Sequence, residues 1–347
     1  MKLCANASDE IVVATASDEN YAIGMSVTVK SAIHCLAPDD RLRVFVLDGG
    51  ITPSTRCKLL ASWEDPRVRV EWITPDMQVL RQFSISAHIN HCTYLRILMP
   101  HVLPASLDKV IYLDADLLVR RNLAELWQED FRGAAALAAF DLACPYVDIA
   151  AVNDRSASFE KHLATRYPIP NFVDLGIPAD AEYFNAGVLV ADLSQWRKQG
   201  IADQAFECLR IHSDHVTFWD QYALNVVLHG RWRRVDSRWN QHTFIYRYPN
   251  WEQSPYSRET FHTLQNDPWI VHFTAPEKPW HYGFTHPHTL GFFECLDATA
   301  WKGYRPSKPP ESWRQWWRSK KNDLRAMRRG IKRRIREAFS GIVKKAS

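Results

Sequence analysis

The 347-residue chain lacks the cysteine spacing of a disulfide-bonded or zinc-binding protein. Its seven cysteines are odd in number and scattered, and no two of them are separated by only two residues. This usage disfavours a disulfide framework and a structural zinc site, and it favours a reducing compartment. Long apolar runs are missing as well, because no stretch approaches the roughly 18 uninterrupted apolar residues of a membrane-spanning helix.

The first ten residues, MKLCANASDE, lack the basic patch and apolar segment of a signal peptide. We find no internal repeat and no low-complexity segment. The composition, with 46% hydrophobic residues, allows the chain to bury a large core. The sequence therefore predicts a globular protein of the cytoplasm.

The formal net charge of +4 hides an uneven distribution. Residues 312–347 contain 13 Lys and Arg but only two acidic residues, whereas the rest of the chain contains 30 basic and 37 acidic residues. Apolar residues of this tail recur at spacings of three, four or seven, which predicts an amphipathic helix. They are Trp313, Trp317, Leu324, Met327, Ile331, Ile335, Phe339 and Ile342.

Such a basic amphipathic tail suits the anionic cytoplasmic face of a membrane, where each Lys or Arg contributes about 1 kcal/mol of attraction. A solvated charged helix and a flexible tail that attracts nucleic acid are the alternatives.

Short β-rich runs alternate with helical patterns in the first half of the chain. The strand-like runs are 11–16, 42–48 and 67–73, and the helical patterns are 22–36, 53–63 and 93–100. In the second half, a strand over 183–193 leads into a helix, a helix over 217–230 ends at glycine, and 240–310 predicts long ordered loops. This order favours an α/β fold with a mostly parallel central sheet and helices on both faces.

Two carboxylates interrupt the apolar run KVIYLDADLLV at 109–119, which reads as one buried strand with Asp114 and Asp116 at its end. Residues i and i+2 of a strand point to the same side, about 7 Å apart, and an unpaired buried carboxylate costs several kcal/mol. The two oxygens would hold a divalent cation, or each would cap a helix. Asp18 follows the first strand, and the carboxyl ends of parallel strands meet at one edge of a sheet.

Three later stretches add polar groups in apolar surroundings. VHFTAPEKPWH supplies His272 and Lys278, which suit a metal ligand and a phosphate contact; a lone histidine is more often a core or surface residue. YFNAGV places Asn185 at a strand entrance, and its glycine marks either a bulge or a close backbone approach. Asp220 in WDQ is either functional or a charge at a helix N-terminus.

Taken in order, six stretches over about residues 10–285 resemble the family 8 retaining glycosyltransferases of the GT-A fold. They are ASDENYAIGMSVTVKS, HINHCTYLRI, VIYLDADLLV, YFNAGVLVADLSQW, WDQYALN and HFTAPEKPW. The resemblance is closest to the bacterial UDP-hexose transferases that extend lipopolysaccharide, including lipopolysaccharide α-1,4-galactosyltransferases. It implies a nucleotide-diphospho-sugar transferase fold.

The resemblance also implies a role for each matching residue. Asp114, Asp116 and His272 match ligands of Mn²⁺, although Mg²⁺ is possible. Among the donor-binding residues, Ala16, Asp18 and Asn20 match the uracil and ribose side, and His88 and Arg96 match residues that hold the donor, with Arg96 over the sugar and diphosphate. Lys278 matches the diphosphate lysine, Asn185 and Ala186 match contacts to the hexose, and Ala275 matches a phosphate contact. Ala115 matches a further donor-binding residue. Asp141 and Asp220 match carboxylates that flank the sugar, and Gln221 matches the side chain beneath the anomeric carbon.

One position departs from the family pattern. Relatives usually have glycine where Ala275 lies. If the backbone there requires a positive φ, alanine costs about 1 kcal/mol.

The implied activity is the transfer of galactose or glucose from a UDP-sugar to a saccharide acceptor, with retention through same-face attack. The acceptor would be the lipid-linked core of lipopolysaccharide or lipooligosaccharide, and no nucleic-acid partner is expected. We expect a catalytic domain over 1–290, a linker over 291–311 and a membrane-associating tail over 312–347 on the cytoplasmic face of the inner membrane. A carbohydrate hydrolase using Asp114 and Asp116, and a non-catalytic saccharide- or nucleotide-binding protein, are the alternatives.

Overall fold

The computed structural model describes residues 10–80, 83, 91–152 and 155–308. Its strands are β1 (Ile11–Ser17), β2 (Leu42–Asp48), β3 (Val68–Ile73), β4 (Lys109–Leu113), β5 (Leu117–Val119), β6 (Ala136–Phe140), β7 (Phe184–Asp192), β8 (Trp232–Arg234), β9 (Gln241–His242) and β10 (Ile270–His272). Its α-helices are α1 (Ala22–His34), α2 (Pro53–Ser62), α3 (Met99–Val102), α4 (Leu123–Trp127), α5 (Ser156–Phe159), α6 (Leu193–Gln199), α7 (Ile201–Ile211), α8 (Trp219–Val227), α9 (Arg258–Asn266) and α10 (Thr289–Asp297).

A seven-stranded sheet forms the centre of the fold, in the order β3-β2-β1-β4-β7-β6-β8. Strands β1 to β4 pair in parallel, as do β6 and β8, and β7 runs antiparallel to both of its neighbours. Every residue of β1 is buried, as is typical of a parallel strand covered on both sides. The predicted mostly parallel sheet is therefore confirmed.

Helices cover both faces of this sheet. Successive strand residues point to opposite faces, so Val12 of β1 packs in one apolar cluster and Val13 in another. The cluster of Val12 includes residues of α6, α7 and α8, and that of Val13 includes residues of α1 and α2. The predicted three-layer arrangement is confirmed.

The prediction of a single strand over 109–119 is wrong. Within these residues the chain leaves one sheet and enters another. β4 ends at Leu113 in the central sheet, and β5 belongs to a second sheet of order β5-β10-β9. Asp114 and Asp116 therefore lie in the segment between two strands. The apolar residues on either side of the two carboxylates cannot reveal this break, because both strands are buried.

Helix α1 holds this segment in place, because two of its side-chain hydroxyl groups accept hydrogen bonds from the backbone at the free edge of β5. Thr28 Oγ1 accepts a hydrogen bond from Leu117 N at 3.0 Å, and Ser31 Oγ accepts one from Val119 N at 2.9 Å. Gly24, one turn earlier, lies so close that a Cβ there would be 2.3 Å from the Ala115 carbonyl oxygen. Only glycine allows α1 this close approach.

Two other predicted elements differ from the structure. The helix predicted over 93–100 is a 3-10 helix (His91–Arg96) followed by α3. Pro100 lies in the first turn of α3, where its missing N–H leaves no intrahelical bond unmade. The region 240–310, predicted as loops, contains β9, α9, β10 and α10.

The segment predicted as a linker from residue 291 instead starts inside α10. Phe292 and Leu296 of this helix are fully buried in a cluster with Val27 of α1 and Phe273. The chain as far as residue 308 is therefore part of the globular unit. The predicted tail over 312–347 lies outside the described residues, and none of the described helices is long and apolar enough to cross a membrane.

Replacement of Leu296 by alanine should lower the free energy of unfolding by about 2–5 kcal/mol, because it leaves a cavity in the cluster under α10. Leu290→Ala provides a matched control, since Leu290 is on the same helix but 70% exposed; its effect should stay within about 0.5 kcal/mol. Urea unfolding of the full chain measures both values. Equal effects of the two substitutions would show that α10 does not anchor the C-terminal part.

Candidate active site

Asp114, Asp116 and His272 meet at the junction of the two sheets. β10 pairs with β5 so that His272 lies opposite Leu117, directly beside the carboxylates. The His272 Nε2 atom is 3.3 Å from Asp116 Oδ1 and 3.7 Å from Asp114 Oδ2. One ligand atom from each residue lies within 4.8 Å of the others. A single ion can thus contact all three, and two carboxylates with one imidazole suit Mn²⁺ or Mg²⁺.

Gly187 of β7 makes this meeting possible. A Cβ at this position would lie 2.2 Å from His272 Cε1 and 2.7 Å from Asp114 Oδ2. The pairing of β6 with β7 is also irregular here, since the register shifts between Ala138 and Phe140. Both interpretations of the glycine in YFNAGV are therefore correct: the strand bulges, and its backbone approaches the carboxylate and the imidazole closely.

Arg96 bridges two of the predicted carboxylates. Its guanidinium nitrogens lie 2.9 Å from Asp114 Oδ1 and 2.7 Å from Asp220 Oδ2, and another donates to the Ala186 carbonyl oxygen at 2.5 Å. Its plane lies over the Tyr112 ring, 4.7 Å from the centroid. A buried charge is costly unless it is paired, and here two carboxylates hold the pKa of Arg96 above its usual value although burial opposes this.

Lys278 is the second buried cation. Its Nζ lies 2.6 Å from Asp116 Oδ2 and donates to the Phe273 carbonyl oxygen at 2.8 Å. Burial favours protonation of Asp116, but the adjacent Lys278 ammonium outweighs it and holds the pKa of this carboxyl well below its usual range. Asp116 is therefore ionised at physiological pH.

The predicted sugar-side residues form one hydrogen-bonded group. Asp141 Oδ2 accepts from Asn185 Nδ2 at 3.0 Å and from Gln221 Nε2 at 2.8 Å. Gln221 Oε1 in turn accepts from the Ala186 backbone N–H at 3.0 Å. The structure thus brings together Asp141, Asn185, Ala186 and Gln221.

His242 completes the environment of Asp141. Its Nδ1 accepts from the Phe244 N–H at 3.1 Å, so its Nε2 carries the hydrogen and faces Asp141 Oδ1 at 3.4 Å. Burial lowers the pKa of His242 to about 4, so the ring is neutral at physiological pH. The sequence analysis missed this residue because no motif surrounds it.

Asp220 occupies the start of α8. Thr93 Oγ1 donates to Asp220 Oδ1 at 2.6 Å; Thr93 lies within HINHCTYLRI, but nothing in that stretch indicates this distant partner. The preceding residue, Trp219, has a φ of 49°, which non-glycine residues rarely adopt. Such strain is common at functional sites.

Asp18 and Asn20, which were predicted to bind the nucleotide, lie after the carboxyl end of β1. Asp18 Oδ1 accepts from the N–H groups of Asn20 (3.0 Å) and Tyr21 (3.2 Å), and its Oδ2 accepts from Asn20 Nδ2 at 2.9 Å. The Tyr21 ring packs edge-on against Trp280, with centroids 5.5 Å apart, and lies 5.7 Å from Lys278 Nζ. Tyr21 thus connects the Asp18 turn with the cation that holds Asp116.

The remaining predicted residues are Ala16, Ala115, Ala275 and His88. Ala16 is buried in β1, and Ala115 is buried between the two carboxylates. Among described non-glycine residues, positive φ occurs only at Arg132 and Trp219, so Ala275 avoids the strain considered above. His88 lies outside the described residues.

The free energy of unfolding should depend on pH through Asp220. One guanidinium serves two carboxylates, and the Asp220 side chain is 4% exposed against 22% for Asp114. Burial accordingly raises the pKa of Asp220 to about 6, although Arg96 and Thr93 oppose this rise. Between about pH 4, the ordinary value, and about pH 6, the native state holds a proton that the unfolded chain releases, so stability falls as pH rises.

The Asp220→Asn variant lacks the titrating carboxyl group, so its free energy of unfolding does not contain this decline with pH. The unfolding free energy of the wild type minus that of the variant, measured in urea across this range, should fall by up to about 1.4 kcal/mol per pH unit. A difference that is constant or rises with pH would contradict the assignment.

Comparison with known proteins identifies the family. The model of glycosyl transferase family 8 matches residues 12–283. General stress protein A of Bacillus subtilis is 29% identical over 297 residues, which cover 84% of this chain and 96% of that protein. The lipopolysaccharide 1,3-galactosyltransferase of Salmonella typhimurium is 24% identical over 298 residues, which cover 85% of this chain and 80% of that protein.

The crystal structure of the galactosyltransferase LgtC, in complex with donor and acceptor sugar analogues, matches with a TM-score of 0.66 and 26% identity. The match covers 88% of this chain and 99% of that one. It confirms the predicted GT-A fold. Because the family model spans most of the chain, this protein belongs to glycosyl transferase family 8 and is a glycosyltransferase.

Proposed function

We propose that this enzyme is a Mn²⁺-dependent, retaining hexosyltransferase that moves galactose or glucose from a UDP-sugar to a saccharide acceptor. The observation that carries the proposal is the cluster of Asp114, Asp116 and His272, with the buried cations Arg96 and Lys278 beside it. The proposed acceptor is the core of lipopolysaccharide or lipooligosaccharide. Relatives named lipopolysaccharide 1,3-galactosyltransferase and lipopolysaccharide 1,2-glucosyltransferase support this choice.

The residues at the sheet junction suit a sugar nucleotide. Asp114, Asp116 and His272 would hold the metal, whose nitrogen ligand favours Mn²⁺ over Mg²⁺. When bound, the metal supplies Lewis-acid stabilisation of the negative charge on the leaving diphosphate. Arg96 and Lys278 are fixed positive charges in a buried site, where they stabilise the same developing charge without reorganisation.

Other residues would bind the two ends of the donor. Ala16, Asp18 and Asn20 would contact the uridine part, beyond the Tyr21 ring. Asp141, Asn185, Ala186 and Gln221 would contact the hexose, because their amide and carboxylate groups form one network beside the metal ligands. The roles of His88 in holding the donor and of Ala275 at a phosphate are also part of the proposal.

Retention of configuration requires either a covalent intermediate or attack from the face that the UDP leaves. Asp141 accepts hydrogen bonds through both oxygens, and Asp220 is engaged by Thr93 and Arg96. Gln221 is a weak nucleophile whose amide is held at both ends. We therefore propose same-face attack: the acceptor oxygen bonds to the anomeric carbon, the bond to UDP breaks, and a UDP phosphate oxygen takes the hydroxyl proton.

The ion pairs argue against the hydrolase alternative. A glycoside hydrolase needs one protonated carboxylic acid that donates to the leaving group. Lys278 holds Asp116 ionised, and Arg96 pairs with Asp114, so this pair offers no acid. The non-catalytic alternative gives no role to the hydrogen-bonded group around Gln221.

Purified full-length protein should release UDP from UDP-galactose or UDP-glucose when Mn²⁺ and a lactose-like acceptor are present. Asp114→Asn should lower turnover by orders of magnitude, since it removes a charged ligand, while an amide can still accept from Arg96 and preserve folding. Coupled UDP release over a panel of UDP-sugars measures this.

Acceptor-independent UDP release would favour hydrolysis. Undiminished activity of the Asp114→Asn variant in excess EDTA would exclude the metal site.

We further propose that residues 312–347 attach the enzyme to the cytoplasmic face of the inner membrane, where UDP-sugar and a lipid-linked acceptor meet. The support is their charge of 13 Lys and Arg against two acidic residues, with an apolar stripe. The described residues extend to 308 as part of the globular unit, so the tail can be removed after residue 311 without cutting α10.

Full-length protein should sediment with anionic vesicles, and chain 1–311 should stay in solution while remaining active on short free acceptors. Added salt should weaken the sedimentation, because the Debye length is only about 8 Å at physiological ionic strength. Neutral vesicles provide the control. Equal partitioning of the two chains would exclude the tail as the anchor.

A further inference from the structure

The orientation of His272 is fixed by a residue outside the predicted site. The side-chain oxygen of Asn240 lies 2.8 Å from His272 Nδ1, on the side of the ring opposite the two carboxylates. Both side chains are buried, with 4% exposure each. Whichever atom Asn240 presents determines which ring nitrogen carries a hydrogen.

The amide of Asn240 can face only one way. Its nitrogen lies 3.0 Å from Asn185 Oδ1 and 3.4 Å from the Asn185 carbonyl oxygen, and both atoms are acceptors. The orientation of Asn185 is itself settled, because its Oδ1 accepts from the Gly187 backbone N–H at 2.9 Å and its Nδ2 donates to Asp141. Asn240 Nδ2 must therefore donate to Asn185, and its oxygen must face His272.

It follows that His272 Nδ1 carries a hydrogen and donates it to Asn240. The other nitrogen, Nε2, then has its lone pair available towards Asp114 and Asp116, as a metal ligand requires. Metal-binding histidines commonly have such a partner on the second nitrogen, and its loss typically weakens metal binding about 10–100-fold.

The side-chain amide of Asn240 also connects His272 with the residues proposed to contact the hexose. Asn240 contacts Asn185, which contacts Asp141, which contacts Gln221. We call this series, from His272 through Asn240, Asn185 and Asp141 to Gln221, the amide relay. Asn240 is the member that joins the metal ligand to the residues proposed to hold the hexose.

Contacts of the neighbouring residues fix the backbone position of Asn240. It ends a 3-10 helix (Ser237–Asn240) whose first turn is capped by Asp236, which accepts from the Arg238 N–H at 2.9 Å. The neighbouring Trp239 is buried and packs edge-on against Trp269, with centroids 4.9 Å apart. The chain then enters β9, which pairs with β10 beside His272.

We propose that Asn240 is a positioning residue for the transferase reaction: it sets the hydrogen of His272 for metal binding and holds Asn185 at the donor sugar. The inference rests on the proposed function, because it assumes a divalent metal at His272 and a hexose at Asn185. Asn240 itself touches neither the metal nor the sugar.

Two substitutions of similar size separate the two contacts. Asn240→Leu removes both, whereas Asn240→Asp keeps an acceptor for His272 Nδ1–H and removes the donor to Asn185. In full-length protein, Mn²⁺ binding in the presence of UDP, followed by the electron paramagnetic resonance signal of free Mn²⁺, should weaken about 10–100-fold in the leucine variant. It should change by less than about threefold in the aspartate variant.

Turnover separates the variants further. The aspartate variant should lose about tenfold in kcat at saturating Mn²⁺, because two acceptors now face each other at Asn185. Added Mn²⁺ should partly rescue the leucine variant. Unchanged Mn²⁺ binding in a folded leucine variant, or equal loss of binding in both variants, would overturn the assignment.

A measurement on the wild type does not depend on the folding of any variant. Nitrogen-15 spectra of histidine-labelled protein with Mg²⁺ and UDP should show His272 Nδ1 protonated, the signal being identified by its loss in His272→Gln. An unprotonated Nδ1 would overturn the inference. If the wild type bound no divalent metal, the proposed function would fail instead, and spectra of the metal-free protein would still decide the state of Nδ1.

Discussion

The site depends on the neutralisation of clustered carboxylates by two buried cations. Arg96 pairs with Asp114 and Asp220, and Lys278 pairs with Asp116. Without these pairs, three acidic groups in a mostly apolar interior would repel each other and bear the full cost of burial. In the proposed function, the same cations would face the negative charge of the donor diphosphate. The electrostatic arrangement that makes the fold tolerable is therefore also the one that a sugar nucleotide requires.

Part of the site could be predicted because its residues lie beside regular elements with a clear apolar pattern, whereas the roles of Asp141 and Gln221 were implied only by the family resemblance. Asp114 follows the buried β4, Asn185 and Gly187 lie within β7, and Gln221 begins α8. Parallel strands bring their carboxyl ends to one edge, so polar residues at those ends were expected to meet. The alternation of strands and helices likewise predicted the central sheet.

The parts that the sequence did not reveal depend on contacts between distant segments. The break between β4 and β5 lies inside an apolar run, and it becomes visible only through the pairing of β5 with β10. Gly24 is unremarkable in sequence, yet the Ala115 carbonyl oxygen leaves no space for a side chain there. Asn240 has no motif around it, and its importance comes entirely from the orientation of two other side chains.

The contacts of α1 with β5 have a consequence for association between copies of the chain. An edge strand with unpaired N–H groups is a template for pairing with a strand of another molecule. In β5 the N–H groups of Leu117 and Val119 are already bonded to hydroxyls of Thr28 and Ser31. The helix therefore closes this edge of the second sheet to intermolecular strand addition, directly beside the carboxylates of Asp114 and Asp116. A foreign strand could pair with β5 only after α1 had separated from it.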